Sequence, residues 1–395
     1  MFRRYGAVAA VLSALALSFN SAQAEPGVSD TEITIGMWMP LSGPAALLGQ
    51  SARDGVRVWS DEVNAKGGIN GRKIRIVAYD DAGSPQEANA AVRRLINQDE
   101  VFALLAGSIS GSTLAVRRLI TSSKVPFISS ISSNNNLMNP FSRYIFRVYG
   151  NEDAQAAGIV GRMIDGDGIK RPAIIYTSND YGVGGFHVYT ALLKDKFKVA
   201  SVADERYNPG DQDFSAQLLR IKSANPDGLL VFAFAQEAGI IVRQAKELGL
   251  NVKFYGGGGA ATSLLQRAAG PSAIGFKAVS VLPQTVETSN DPKVVAYRDK
   301  LKQLYPNGFP PGRPSEYDVA AYTAGKIAES VLKELGKDVT REKFVDGLER
   351  IKNFEGVGTF PVTFTPTSHE GTNSVEIIEV GSDLAWKAIG HEGGK

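Results

Sequence analysis

The sequence of 395 residues predicts an α/β fold with two lobes. Short apolar segments rich in β-branched residues alternate with helical segments along most of the chain, which is the pattern of parallel βαβ units. Two such runs of similar length follow one another, with the change near residue 150, and later segments return to them. We therefore expect two doubly wound α/β lobes with a cleft between them.

The first run begins with a strand over residues 33–39, which Pro40-Leu41-Ser42-Gly43-Pro44 breaks. A helix with apolar spacing is predicted over residues 50–63, and Asn70-Gly71 is a turn signal before the next strand. The other elements predicted in this run are a strand at 74–79, a helix from Ser84-Pro85 through Ile96, and a strand at 143–148.

The stretch 104–137 of the first run is where we expect a ligand to bind. It predicts a buried strand, a turn of small residues at 107–112, a helix, a second strand and a polar loop at 129–136. In an open α/β sheet, ligands bind outside the carboxyl ends of the strands. Free N–H groups over residues 110–113, at the start of the helix, favour an anion. The two loops are therefore expected to hold the polar end of a small ligand.

The second run extends from Asn151 to about Val281, and a tail of helices and antiparallel strands follows it. A glycine-rich segment at 177–185 is predicted as a loop, and Gly256-Gly257-Gly258-Gly259 as a turn that exposes backbone. The predicted strands are 173–176, 199–205, 228–234, 252–255 and 278–282, and in the tail 358–364 and 375–380. The predicted helices are 154–164, 186–195, 214–223, 237–248, 293–305, 315–335 and 341–351.

The motifs of common enzyme classes are missing from the sequence. The segment Gly182-Val183-Gly184-Gly185 has neither the spacing of a dinucleotide fingerprint nor the Lys-Ser/Thr of a P-loop. No G-x-S-x-G elbow occurs, although residues distant in sequence can still assemble a triad. The three histidines show no metal-ligand spacing and the chain has no cysteine. We therefore expect a binding protein rather than an enzyme, with no metal and no cofactor.

The N-terminus is typical of a secretory signal peptide. Arg3 and Arg4 precede an apolar run at 7–19, and Ser21-Ala22-Gln23-Ala24 fits an A-x-A cleavage site. The apolar run is short for a membrane span. We predict a signal peptide over residues 1–24, with Glu25 as the first mature residue. The absence of cysteine argues against a lipoprotein anchor, and the expected location is the periplasm.

The charge balance gives no sign of a polyanionic partner. Removal of residues 1–24 takes away two arginines and leaves equal numbers of basic and acidic side chains. A nucleic-acid or anionic-membrane partner would call for a basic surface. We therefore expect no nucleic acid and no membrane surface as partner.

Several motifs, in this order, resemble the periplasmic leucine/isoleucine/valine-type substrate-binding proteins of ABC transporters. The resemblance covers essentially the whole mature chain. The motifs are Pro40-Leu41-Ser42-Gly43-Pro44 with Gly49, Asn64-Ala65-Lys66-Gly67-Gly68-Ile69-Asn70-Gly71, Tyr79-Asp80-Asp81, Val125-Pro126, Phe146-Arg147, Asn179-Asp180-Tyr181-Gly182-Val183-Gly184, Asp213-Phe214 and Gln244-Ala245-Lys246-Glu247-Leu248-Gly249-Leu250.

The resemblance implies a type I periplasmic binding fold, in which two lobes close on a ligand about a three-strand hinge. We place the crossings near Tyr149, Leu282 and Gly358. Lobe 1 is then residues 31–149 plus 283–357, and lobe 2 is residues 150–282 plus 358–390. The implied role is capture of a small-molecule ligand by a monomer that delivers it to an ABC permease in the inner membrane. A ligand-sensing receptor of the same fold is the alternative.

The resemblance also implies the residues of the binding site. Ser110, followed by Gly111 in the first helical turn, matches the serine that grips the ligand carboxylate. A main-chain carbonyl and a hydroxyl that serve the same end match Ile131 and Ser133. The implied walls are Tyr181, Tyr317 and Leu48, and we expect Trp38 and Phe234, at strand ends, to face the cleft as well.

One departure from the family pattern bears on the ligand. The glutamate that pairs with the ligand's α-ammonium in amino-acid binders aligns with Gly258. An ammonium left without its partner costs roughly 3–5 kcal/mol, which is two or more orders of magnitude in affinity. Asp180, Glu237 and Glu316 are candidate replacements that the sequence does not place.

Two ligand classes therefore stay open. The ligand is an amino acid by family, or an amine-free carboxylate by its site. The aromatic residues at 38, 181, 234 and 317 suit a flat aromatic acid, because stacked rings contribute about 0.5–1.5 kcal/mol per pair beyond burial.

Overall fold

A computed structural model describes residues 25–281, 289–311 and 313–392. It contains helices on two separate sheets, one of five strands and one of seven. The α/β class is therefore confirmed. The predicted signal peptide and the crossing predicted near Leu282 lie outside the described residues.

The first sheet is entirely parallel, with the strand order β2-β1-β3-β4-β5. Its strands are β1 (Glu32–Met39), β2 (Lys73–Asp80), β3 (Ala103–Ala106), β4 (Phe127–Ser129) and β5 (Ile145–Arg147). Helices α1 (Ala46–Ala65), α2 (Pro85–Asn97) and α3 (Ser110–Ser123) connect them. Strand β3 is completely buried, as expected for a parallel strand covered by helices on both faces.

The second sheet has the order β12-β11-β10-β9-β8-β6-β7. In it, β11 pairs antiparallel with β10, and β12 pairs antiparallel with β11. The strands are β6 (Pro172–Thr177), β7 (Asp204–Tyr207), β8 (Gly228–Phe232), β9 (Lys253–Gly256), β10 (Lys277–Ser280), β11 (Val375–Val380) and β12 (Trp386–Glu392). The helices are α4 (Glu152–Gly161), extended by one π-helical turn, α5 (Asp180–Asp195), α6 (Ser215–Ser223), α7 (Ala235–Glu247) and α8 (Ser263–Ala269).

Three later helices return to the first sheet. These are α9 (Pro292–Leu304), α10 (Glu316–Leu335) and α11 (Arg341–Leu348). Helix α10 packs along α1 and is buried over most of its length. Its N-terminus points to the region between the two sheets, which brings Glu316 and Tyr317 to the cleft.

The lobe boundaries stay a prediction, and one hydrogen-bonding pattern bears on them. The Arg147 N–H donates to the carbonyl of His369 at 3.0 Å, and the N–H of Gly371 donates to the Arg147 carbonyl at 2.8 Å. These bonds keep residues 369–371 beside the first sheet. The chain joins the second sheet only with β11, later than the crossing predicted near Gly358.

The glycine-rich segment 177–185 differs from its prediction as a loop, because helix α5 already begins at Asp180. The Asn179 side chain caps this helix by accepting a hydrogen bond from the Gly182 N–H at 3.0 Å. A Cβ on Gly185 would lie 2.2 Å from the ring of Phe232. The glycines here allow helix α5 to approach strand β8, so they serve packing rather than phosphate binding.

The tail also differs from its prediction. Residues 358–364 form no regular strand and contribute one isolated bridge, between Phe354 and Val362. Strand β12 was missed because most of its side chains are exposed, so its sequence shows no apolar alternation. The strand predicted at 199–205 begins only at Asp204.

Candidate ligand-binding site

A small cavity lies between the lobes. Most of its lining residues follow the carboxyl end of a strand, as expected for a site in an α/β protein. The space open to the centre of a water molecule is about 10 Å³, roughly the room for one water, so a larger ligand enters only when the lobes separate. The lining residues are Leu48, Ile109, Ser110, Ile131, Ser133, Tyr149, Gln155, Tyr181, Phe234, Gly259 and Tyr317.

The start of helix α3 supplies hydrogen-bond donors at one side of this cavity. Ser110 is the first residue of the helix, and no side chain caps it. The Thr113 hydroxyl donates to the Ser108 carbonyl at 2.7 Å and accepts from the Ser108 N–H at 3.2 Å, which fixes the preceding turn. First-turn N–H groups have no partner within their own helix, and the helix dipole is positive there. This turn is therefore suited to a carboxylate.

A buried arginine positions the second polar loop. The Nη1 atom of Arg147 donates to the carbonyls of Ser132 at 3.2 Å and Asn134 at 2.9 Å, and its Nε donates to Glu370 at 2.9 Å. These contacts set the path of the segment that carries Ile131 and Ser133. Sequence reasoning gave Arg147 no role, although a charged residue ending an apolar strand was the available signal.

Two pairs of nearly parallel aromatic rings line the cavity. Tyr181 and Phe234 have centroids 5.1 Å apart and planes inclined by 10°. Tyr149 and Tyr317 are 5.8 Å apart and inclined by 20°. All four side chains are buried. The cavity is therefore bordered by aromatic rings on both lobes.

Seven of the ten predicted site residues line the cavity: Leu48, Ser110, Ile131, Ser133, Tyr181, Phe234 and Tyr317. Gly111 lies next to it, at a contact between the lobes, because a Cβ there would be 2.6 Å from the Asp180 carboxylate. Trp38 differs from its expected position. It packs on Phe127 with 4.8 Å between ring centroids, in the core of the first lobe. Alternation along β1 turns its side chain toward the face that α2 and α3 cover.

Gly258 sits directly behind the cavity wall. Its N–H donates to Oε1 of Gln155 at 3.0 Å, and a Cβ on it would lie 3.1 Å from that oxygen and 3.4 Å from the Tyr149 hydroxyl. Tyr149 and Gln155 therefore occupy the direction in which a side chain at position 258 would project. The sequence analysis did not include either residue in the binding site. Their position after strand β5 was the signal that could have found them.

The three candidate acids lie away from the cavity surface. Glu237 accepts hydrogen bonds from the Tyr207 hydroxyl at 2.7 Å and the Gly210 N–H at 2.8 Å, inside the second lobe. Asp180 faces Gly111 instead of the cavity. Glu316 lies behind the tyrosine wall, and burial raises its pKa to about 8. It is therefore largely uncharged at neutral pH.

Comparison with known proteins agrees with this geometry. The model of a family described as periplasmic binding protein matches residues 32–385. The chain belongs to this family. Relatives named Leu/Ile/Val-binding protein are among its matches, in agreement with the resemblance found in the sequence. A Leu/Ile/Val-binding protein of Rhizobium johnstonii, BraC3, is 29% identical over 232 residues, 59% of this chain. The match spans 63% of that relative's length.

Solved structures confirm the type I periplasmic binding fold. The substrate-binding protein LivJ of a branched-chain amino acid transporter from Streptococcus pneumoniae, in complex with isoleucine, has a TM-score of 0.78 at 26% identity and covers 92% of this chain and 99% of its own. A fatty acid ABC transporter substrate-binding protein from Thermomonospora curvata has a TM-score of 0.81 at 22% identity, covering 94% and 95%.

No cluster of three His, Cys, Asp or Glu side chains within the described ranges could hold a metal ion. Within those same residues, none of the helices combines the length and apolar character that a membrane span requires.

Proposed function

We propose that this protein captures a small carboxylate without an α-ammonium group, and that the ligand is a flat aromatic acid. The observation that carries the proposal is the charge pattern of the cavity. The first turn of α3 offers donors to an anion, whereas none of the described residues that line the cavity is acidic. An ammonium group enclosed there would have no counter-charge, at a cost of roughly 3–5 kcal/mol.

The aromatic character of the ligand rests on the two ring pairs. Tyr181 with Phe234 and Tyr149 with Tyr317 form two nearly parallel ring pairs, and all four residues line the cavity. The named cargo of structural neighbours includes both an amino acid and a fatty acid, so this fold accommodates ligands with and without an amine. The family relationship by itself favours an amino acid.

The proposal includes the setting of the protein. The mature chain acts as a monomer in the periplasm after removal of residues 1–24, and the loaded, closed form docks on an ABC permease. Lobe 1 (31–149 plus 283–357) supplies the anion-binding turn, and lobe 2 (150–282 plus 358–390) supplies Tyr181 and Phe234. Ligand contact with both lobes couples binding to closure.

Calorimetric titration tests the ligand class directly. Purified mature protein is titrated in parallel with L-leucine, benzoate and 4-hydroxybenzoate, after unfolding and refolding to remove any co-purified ligand. We expect saturable binding of an aromatic acid and, because the cavity lacks an ammonium partner, binding of leucine at least roughly 100-fold weaker. Tight leucine binding with no response to either aromatic acid would contradict the proposal.

Replacement of Ser110 by alanine tests the carboxylate position. We expect the affinity for the bound acid to fall by about 1–3 kcal/mol, the scale of a hydrogen bond to a charged group. Ser122→Ala, on the exposed side of the same helix, is the matched control and should bind like the wild type. An unchanged affinity in Ser110→Ala would show that the carboxylate lies elsewhere.

A further inference from the structure

Glu316 has no role in the function proposed so far, yet it contacts a residue of the cavity wall. It is 5% exposed, and its Oε1 accepts a hydrogen bond from the Tyr149 hydroxyl at 3.0 Å. Its Oε2 lies 3.2 Å from the hydroxyl oxygen of Ser280. Among the residues that the structure describes, none forms an ion pair with Glu316.

The Glu316 contact sets the hydrogen-bonding character of Tyr149. A phenol has one proton to donate and lone pairs to accept with. Because the Tyr149 proton points to Glu316, the hydroxyl offers only its lone pairs to a ligand. Tyr181 is the opposite case, since its oxygen accepts from the Gly259 N–H at 3.0 Å and its own proton remains to be donated.

This direction is compatible with both protonation states of Glu316. A serine hydroxyl can accept as well as donate. The neutral acid can therefore place its proton on Oε2, toward Ser280, while Oε1 still accepts from Tyr149. The ionised acid accepts from both hydroxyls. In both of these arrangements Tyr149 is an acceptor for the ligand.

We infer that the Glu316–Tyr149 pair selects ligands that carry a hydrogen-bond donor, such as a hydroxyl group, in addition to their carboxylate. This inference rests on the proposed function and narrows it to hydroxylated aromatic acids. A ligand without a donor would leave the buried Tyr149 oxygen with one hydrogen bond fewer. Sites that hydrogen-bond a polar group of the ligand discriminate strongly against analogues that lack this group. Glu316 acts as a positioning residue because it reaches the ligand through Tyr149.

The test compares hydroxylated and plain acids on matched variants. Calorimetric affinities for benzoate, 3-hydroxybenzoate and 4-hydroxybenzoate are measured with the wild type, Tyr149→Phe, Glu316→Leu and Glu316→Gln. In the wild type, one hydroxybenzoate should bind at least roughly tenfold more tightly than benzoate. This preference should disappear in Tyr149→Phe, which has no hydroxyl, and should weaken in Glu316→Leu, where the Tyr149 proton no longer has a fixed direction. It should survive in Glu316→Gln, whose amide oxygen can still accept from Tyr149.

Tyr189→Phe is the matched control. Tyr189 is also buried, and its hydroxyl makes no hydrogen bond to the residues that the structure describes. Its removal should leave the hydroxyl preference unchanged. Circular dichroism establishes that each variant is folded, and Tyr149→Phe alone decides the matter if Glu316→Leu does not fold.

The outcomes separate the two proposals. If the wild type binds benzoate as tightly as both hydroxybenzoates, or if Tyr149→Phe keeps the preference, the role of the Glu316–Tyr149 pair is overturned while the aromatic-acid function stands. If no aromatic acid binds and leucine does, the proposed function itself fails.

Discussion

Substitution of Arg147 by methionine should lower the free energy of unfolding by roughly 3 kcal/mol, within the range for breaking a buried charge pair. The guanidinium is fully buried and has four hydrogen-bond acceptors, two on Glu370 and the carbonyls of Ser132 and Asn134. Methionine fills most of the volume and satisfies none of these acceptors. The side chain of Glu370 is 26% exposed, so water recovers part of its solvation, which places the estimate at the low end of the range.

Arg143→Met is the matched control for this substitution. Arg143 contacts the exposed Glu342 and Asp346 and, at 3.5 Å, the less exposed Glu349, and its own side chain is 37% exposed. Exposed pairs contribute about 0–1 kcal/mol, so we expect a smaller loss here than in Arg147→Met. Urea denaturation followed by circular dichroism measures both variants. Equal losses would mean that the buried contacts of Arg147 are worth no more than a surface ion pair. Arg147→Met should also weaken ligand binding, because the loop with Ile131 and Ser133 loses its support.

The second large effect is a dependence of stability on pH that originates in Glu316. Desolvation raises its folded-state pKa from 4.5 to about 8. Between these values the unfolded chain has released the proton and the folded chain still holds it. The stability contributed by the neutral acid is therefore present below pH 4.5 and is lost as the pH rises toward 8. The slope for one proton is about 1.4 kcal/mol per pH unit where the two states differ by a full proton, and less near either pKa.

Glu316→Gln removes this titration and keeps the shape of the side chain. The difference in unfolding free energy between Glu316→Gln and wild type should therefore shift in favour of the variant by roughly 3 kcal/mol from pH 5 to pH 8. The groups that face the carboxyl are the side chains of Tyr149, Ser280 and Tyr317 and the backbone N–H of Val281. Glu152 and Asp318 also have raised pKa values, but they are common to both proteins and cancel in the difference. A difference that stays constant with pH would show that Glu316 is ionised in the folded protein.

The first lobe was largely predictable because its sequence signals are local. Turn residues and apolar strands placed β1, β2 and β3 within one or two residues of their observed bounds. The start of α5 was predicted too late because its glycines suggested a loop. Their role in the helix is visible only in the structure, where Gly185 leaves room for the ring of Phe232. Strand β12 forms by pairing with β11 at an exposed edge, and that pairing leaves no periodic pattern in its own sequence.

Site residues were predictable where they directly follow a strand in the sequence. They were less predictable where segments far apart in the sequence come together in the fold. Ser110 and Ser133 follow β3 and β4 and could be placed by the rule for α/β sheets. Gln155 became visible only when its bond to Gly258 joined α4 to the turn after β9. Trp38 shows the opposite error. Its position at the end of β1 indicates the edge of the sheet, but the alternation of side chains along the strand determines which face of the sheet Trp38 lies on, and this is the face that packs on Phe127.

The small size of the cavity determines how fast cargo leaves it. The space between the lobes is only about 10 Å³, so a bound ligand larger than a water needs the lobes to move apart before it can leave. We therefore expect opening of the hinge to limit dissociation. Ligands of quite different affinity should then share a similar ceiling on their off-rates. A permease that separates the lobes would control the timing of release without contacting the ligand.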